Sequence, residues 1–248
     1  MVKLVGILNV TPDSFSDGNL YLDISDAIAH AKKLFQEGAS LVDVGAESTR
    51  PGATVLRWQE EWKRLEPILR ALTKAYPEKI SVDTYHPETA IKALKLGRVI
   101  INDVTGLNNT KMIKVILDNK PSVIISHLKG VDIQKAHNSR LIDDIEEVKS
   151  DLLEKVELLE ASGIKRDKII IDPGIGFGKT SELNNKLLRF AEYVPGQRVM
   201  IGYSRKRFLG PNRMSIEANI SAGKIAAASG AEFIRVHDVA GHRGLLHI

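Results

Sequence analysis

The sequence predicts an α/β protein built as a single-domain (β/α)8 TIM barrel, and three observations predict it. Eight short apolar runs rich in Val and Ile recur along the 248 residues. Segments of helical period separate them, and a hydrogen-bonding side chain stands at or just past the end of every run. Eight strand–helix repeats in about 250 residues is the arithmetic of such a barrel. A doubly wound open sheet is the competitor, because eight strands do not by themselves prove closure, and the strand ends favour the barrel.

The runs are Leu4–Leu8, Ser40–Val44, Ile80–Val82, Val99–Ile101, Val123–Ile125, Ile169–Ile171, Val199–Ile201 and Phe233–Val236. They lack the polar alternation of a one-sided sheet and so predict parallel strands covered on both faces. Between them, Ser25–Glu37 sets Ile24, Ala27, Ile28, Ala31, Leu34 and Phe35 on one stripe, with Gly38 as the stop. Leu141–Ser162 repeats the stripe through Leu141, Ile145, Val148, Leu152, Val156 and Leu159, and Gly163 ends it. Pro87 suits the first turn of a helix closed by Gly97. Pro67 lies inside the Gln59–Tyr76 segment and is expected to bend or split it. No low-complexity stretch or Pro/Gly/Ser linker divides the chain, so residues 1–248 read as one domain.

Composition narrows the function classes. A hydrophobic fraction of 43% supports a large core. The absence of cysteine excludes a disulfide scaffold, a zinc–thiolate site, an iron–sulfur cluster and a thiol nucleophile, and suits a reducing compartment. No run approaches the roughly 18 apolar residues of a membrane helix. The apolar opening is too short for a signal segment and runs into Asn9 and Pro12, so a soluble, cytoplasmic protein without a membrane partner is expected. The net charge is +4, yet acids and bases alternate, as in Glu154-Lys155-Val156-Glu157, and no basic face invites nucleic acid. The surplus suits an anionic small substrate.

The strand ends carry Asn9, Asp43, Asp83, Asn102, His127, Asp172, Ser204 and His237. In a parallel barrel all of them emerge on one rim, where active sites form. Any one strand must end in something polar. Eight in succession, with no Lys or Glu among them, predict a site that reads a small hydrogen-bonding molecule. Two long loops follow the first two strands, 9–22 and 45–56, and carry Asn9, Asp13, Ser16, Asp17, Ser48, Thr49 and Arg50. Loops of that length in a compact domain commonly bind or cover a ligand.

Several features point elsewhere and are weaker. Gly174-Ile-Gly-Phe-Gly178-Lys179-Thr180 lacks the first glycine of a phosphate loop, since Pro173 stands there, and fails the dinucleotide fingerprint at Lys179. Its glycines are expected to let the backbone approach a ligand beneath Asp172. Asp83, His127, Asp172 and His237 lack the clustered spacing of a metal hydrolase, and His127 reads better as a hydrogen-bonded structural residue. Trp58 and Trp62, four apart, read as helix packing.

The motifs themselves resemble a known family. Asn9-Val-Thr-Pro-Asp-Ser-Phe-Ser-Asp-Gly18 and Asp43-Val-Gly-Ala-Glu-Ser-Thr-Arg-Pro-Gly52 are similar to the two signatures of the dihydropteroate synthases. The resemblance continues through Ser81-Val-Asp83-Thr-Tyr85, Ile101-Asn-Asp103, Asp172-Pro-Gly-Ile-Gly-Phe-Gly178, Ser204-Arg-Lys206 and Arg235-Val-His-Asp238, in the family's order. It implies joining 6-hydroxymethyl-7,8-dihydropterin diphosphate to p-aminobenzoate, giving 7,8-dihydropteroate and pyrophosphate in folate biosynthesis, with Mg2+ as cofactor. Asp83, Asp172 and Lys206 would then act in catalysis, and Asp83, Asn102, Asp172 and Lys206 would hold the pterin. Thr49, Arg50, Arg235 and His237 would meet the diphosphate, and Val236 would be a further substrate-binding residue. Asn9 would sit on the metal, with Asp13 nearby. Pro51, Phe177 and Lys206 would border the p-aminobenzoate pocket, where sulfonamides compete.

The chemistry of those residue types fits. A pterin edge alternates donors and acceptors that Asp and Asn pair in plane. Departure of pyrophosphate leaves positive charge on the methylene, which a carboxylate in a water-poor pocket would stabilise. Tyr203 and Arg207 depart from residues frequent in the family, and the ten residues after Asp238 hold Gly241 and Gly244, a poor helix. The resemblance implies a homodimer. A pterin-binding barrel of the methyltetrahydrofolate-binding type, which generally lacks the two loop motifs and Ser204-Arg-Lys206, is the alternative; an inactive paralogue is another.

Overall fold

The computed structural model describes residues 2–10, 20–47, 55–129 and 141–247. Eight strands run parallel: β1 (Lys3–Asn9), β2 (Leu41–Gly45), β3 (Ile80–Asp83), β4 (Ile100–Asp103), β5 (Ser122–Ser126), β6 (Ile169–Asp172), β7 (Arg198–Ile201) and β8 (Phe233–Val236). Each pairs with the next, and β8 returns to β1 through Lys3↔Phe233 to Gly6↔Val236. That last pairing decides against the open sheet. The barrel is closed.

The crossovers are α1 (Leu20–Gln36), α2 (Trp58–Ala75), α3 (Pro87–Leu96), α4 (Thr110–Asn119), α5 (Ile145–Ala161), α6 (Ser181–Lys186) with a 3-10 continuation over Leu187–Tyr193, and α7 (Ile216–Ala228). Short polar side chains start four of them. Asn109, Asp144, Thr180 and Ser215 accept from the main-chain N–H of Lys111, Glu146, Leu183 and Ala218. Asp144 explains why α5 begins at Ile145 rather than Leu141. Ile142 is instead bridged to the main chain around Lys179, its N–H donating to Gly178 O at 2.9 Å and its carbonyl accepting from Thr180 N at 2.9 Å. Pro67 does not split α2, which runs unbroken. Trp62 and Leu65 before the proline and Ile68, Leu69 and Leu72 after it bury one continuous stripe, and that packing outweighs the lost hydrogen bond. After β8 the residues that Gly241 and Gly244 make a poor helix form a 3-10 run, Ala240–His247.

Successive strand residues alternate between two cores. One set packs outward against the helices, as Val42, Val44, Ile101, Ile125, Ile171 and Val236 do. The other fills the barrel: Val5, Leu41, Ile124, Ile170, Met200 and Phe233, with Ile100 against them. Two residues further along these seven strands the inward face reaches Ile7, Asp43, Asn102, Ser126, Asp172, Gly202 and Arg235. An apolar plug therefore carries a polar layer directly above it. Below the plug, Glu232 joins Lys3 (2.9 Å) and Arg198 (2.7 Å), whose charged groups lie over the Phe233 ring. That face is stability rather than chemistry.

Candidate active site

The polar layer is a connected network. Asp43 on β2 accepts at Oδ1 from Ser81 Oγ (2.5 Å) and at Oδ2 from Asn102 Nδ2 (3.0 Å) and Arg235 Nε (2.6 Å). The Arg235 guanidinium also donates to Asp83 Oδ2 at 2.8 Å. Four strands thus converge on one buried carboxylate. Arg235 carries five N–H donors, so these two contacts leave three for a ligand.

Burial sets the protonation chemistry. Asp83 is pushed up to about 7, first by loss of water and then by the charge of Asp43, while Arg235 pulls it back. Burial opposes the charge on Arg235, but Asp43 and Asp83 outweigh it and the group stays a guanidinium. Asp172 on β6 is likewise raised by burial, against the opposing pull of Lys206. Lys206 is lowered by burial to about 8, with Asp172 holding it up.

Lys206 follows β7 and Asp172 ends β6, and the turn 173–178 lies between them. Asp172 Oδ1 accepts from Gly174 N at 2.7 Å, and Lys206 Nζ donates to Ile175 O at 2.5 Å. The Phe177 ring lies 4.9 Å from the Lys206 ammonium. Gly202, beyond β7, lies between Asp172 and Arg235: a Cβ there would meet them at 3.4 and 3.8 Å, ordinary contact distances. Beyond β8, His237 Nδ1 and Ser204 Oγ are 3.0 Å apart. Asn9, half-buried, ends β1 beside Gly45 in register.

The structure thus brings together Asp83, Asn102, Asp172, Lys206 and Arg235, with Phe177 at their edge and Asn9 and His237 on the same rim. Asp43, a strand-end residue without an assigned role in the sequence, is the hub. Thr49, Arg50 and Pro51, like Asp13 and Ser48, lie outside the described residues.

Three expectations change. His127 leaves the ring: it faces outward, its Nε2 3.2 Å from Asp151 Oδ2 on α5, and burial lowers it to about 3. Val236 is wholly buried in the outer core, so its side chain cannot reach a substrate. The glycines of the β6 turn make room for protein. With φ +65°, Gly174 lies against β5, and a Cβ there would come within 2.1 Å of His127 O; one on Gly176 would come within 3.1 Å of Lys206. Trp62 is buried, with Trp58 packed at its side and Lys92 over both rings, as helix packing predicts.

One further cluster lies behind the rim. Glu47, Glu61 and His86 converge, with Tyr85 O–H donating to Glu47 Oε1 (2.5 Å) and Thr84 O–H to Glu61 Oε2 (2.9 Å). Burial raises Glu61 to about 7, with Thr89, His86 and Thr84 opposing.

Comparison with known proteins places the chain in a family. Residues 5–237 match the model of the pterin binding enzymes. The chain belongs to that family. Among its relatives, the dihydropteroate synthase of Bacillus subtilis is 38% identical over 95% of this chain and 83% of its own length. The Xanthomonas albilineans dihydropteroate synthase, solved with 4-aminobenzoic acid, superposes with a TM-score of 0.88 at 37% identity, covering 99% of this chain and 91% of that one. The Anaplasma phagocytophilum enzyme, solved with 6-hydroxymethylpterin-monophosphate, gives 0.85 at 34% identity over 99% and 97%. The polar layer of this pterin binding enzyme lies at the C-terminal end of the strands, where TIM-barrel enzymes place their chemistry.

Proposed function

We infer that the chain condenses 6-hydroxymethyl-7,8-dihydropterin diphosphate with p-aminobenzoate, yielding 7,8-dihydropteroate and pyrophosphate, as a step of folate biosynthesis. The observation that carries this reading is the Asp43–Arg235–Asp83–Asn102 network over the apolar plug, with Asp172 and Lys206 beside it. The family relatives named dihydropteroate synthase supply the reaction.

The pterin edge pairs with Asp83, Asn102 and Asp172, whose carboxylates and amide are fixed before substrate arrives. As the methylene C–O bond breaks, positive charge develops on the methylene and the pterin ring. Asp83, in a buried setting, stabilises it as it forms. The p-aminobenzoate nitrogen then bonds to the methylene carbon and gives up a proton, and the electron pair of the broken bond leaves with pyrophosphate. The remaining donors of Arg235, with His237, meet the leaving diphosphate. Phe177 and the Lys206 side chain border the incoming aromatic acid.

Mg2+ is proposed as the cofactor. The donor set fits an ion that keeps several waters and takes substrate phosphate oxygens beside one or two protein oxygens: Asn9 offers a neutral amide oxygen at the mouth. When bound there it would neutralise charge on the diphosphate. Among the described residues no helix is long and apolar enough to cross a membrane, and cytoplasmic residence and a homodimer are part of the same proposal. Met214 (64% exposed) and Ile216 (42%) at the start of α7 are apolar surface that a second copy would cover. Sedimentation at micromolar protein tests the dimer.

The reaction is tested by pyrophosphate release and dihydropteroate formation, with pterin diphosphate, p-aminobenzoate and Mg2+ each omitted in turn. Release that requires all three is expected. Pterin binding without release would instead favour the non-synthase barrel.

A further inference from the structure

Lys179 is one of the most deeply buried cations of the described chain, 5% exposed, and the reaction as derived does not use it. Its ammonium donates to three main-chain carbonyls: His127 O (3.2 Å), Gly174 O (3.0 Å) and Phe177 O (3.1 Å). A lysine ammonium has three N–H donors and no acceptor, so the tripod consumes all of them. The carbonyls come from the end of β5 and from two points of the turn after β6. Pointing three carbonyl oxygens at one place in a dry interior is costly unless a cation sits there. Burial pushes the group down to about 7 against the pull of Asp172.

The main chain around Lys179 is held as well. Asn184 Nδ2 donates to Lys179 O (3.2 Å) while its Oδ1 accepts from Gly176 N (2.7 Å), and the Ile142 bridge grips Gly178 and Thr180. The outer side of the same turn carries the substrate-facing groups. Gly174 N–H caps Asp172, Ile175 O receives Lys206, and Phe177 lies under the Lys206 ammonium. The ammonium is thus the inner anchor of the wall that borders the p-aminobenzoate pocket.

We propose that Lys179 is a positioning residue, an internal cation whose tripod of carbonyl contacts sets the turn 174–177 and through it Phe177 and Lys206 against the p-aminobenzoate. The assignment rests on the synthase reading for its kinetic consequence, but not for its structural one. It touches no reacting atom.

The test uses Lys179→Met, which keeps the bulk and removes the charge, and Lys179→Ala, which leaves space for a small amine. Lys179→Met is expected to raise the KM for p-aminobenzoate about tenfold or more, with pterin affinity by calorimetry changed by less than about threefold. Propylammonium is expected to restore most of the lost turnover to Lys179→Ala, whereas tetramethylammonium at equal ionic strength, with no N–H to donate, does not. The melting temperature of Lys179→Ala should rise with propylammonium and not with tetramethylammonium, a readout that needs no substrate. Should neither variant fold, Lys179→Arg keeps the charge on a slightly longer side chain whose planar fork cannot meet a tripod, and the same rise in KM is expected. Wild-type KM in Lys179→Met or Lys179→Arg, or equal effects of the two ammonium ions, overturns the proposal. If the wild-type protein makes no dihydropteroate, the synthase reading fails, and amine-dependent melting alone then decides the anchor.

Discussion

Asp43 Oδ2 and Arg235 Nε lie 2.6 Å apart although 192 residues separate them, and this pair fixes the floor of the site. Only closure of β8 onto β1, which pairs on its other edge with β2, brings them together. The carboxylate orients the guanidinium, and the guanidinium in turn holds Asp83 Oδ2. Asp43→Asn keeps the shape and removes the charge. Breaking one side of a buried ion pair costs on the order of 3–5 kcal/mol. Part of that cost is avoided here because Asp83 still faces Arg235. The expected result is a stability loss of about 2 kcal/mol in denaturant unfolding and a fall of about a hundredfold in kcat/KM for the pterin diphosphate.

Asp83 must be ionised to stabilise the developing cation, and burial together with Asp43 raises its titration to about 7. The acid limb of kcat/KM should therefore lie near neutrality, activity rising with pH as Asp83 loses its proton. A limb at the usual carboxylate range, near pH 4, would place the essential carboxylate elsewhere.

Glu61 predicts a pH dependence of stability. Its folded value, about 7, lies above the ordinary 4.5, so the folded protein binds the proton more tightly than the unfolded chain. The associated stability is present below pH 4.5 and is lost as pH rises toward 7, by about 3 kcal/mol at most. Glu61→Gln should flatten that slope. Denaturant unfolding between pH 4.5 and 5.5 stays below the titration of neighbouring His86, which also sits above its ordinary value as Glu47 and Glu61 outweigh its burial.

Gly174 allows the β6 turn to press on β5. Gly174→Ala would demand φ +65° of an alanine and set its Cβ 2.1 Å from His127 O, so the backbone must move. A stability loss of about 3 kcal/mol, with weaker p-aminobenzoate binding, is expected from calorimetry and unfolding.

Much of the fold was legible because parallel strands covered on both faces leave uninterrupted apolar runs, and all eight were visible. Individual orientations were not. A strand end names two neighbouring side chains of opposite facing, and only register decides which enters the barrel. Asp43, Asn102 and Asp172 enter, whereas His127, just past the end of β5, turns out toward Asp151. Arg235 lies inside an apolar run rather than after it, so it emerged through the family resemblance rather than from the strand-end ring. Lys179 followed a glycine turn that failed both nucleotide-loop patterns, and its role depends on three carbonyls that no local pattern announces. Pro67 looked like a break because local propensity cannot weigh the stripe of apolar burial on either side of it.

The account stands most directly on Asp83 as the group that answers the developing positive charge. The decisive measurement is single-turnover dihydropteroate formation by Asp83→Asn beside calorimetric affinity for the pterin diphosphate. Turnover reduced about a hundredfold or more, with affinity within a fewfold of wild type, is the predicted result. Undiminished turnover would contradict it.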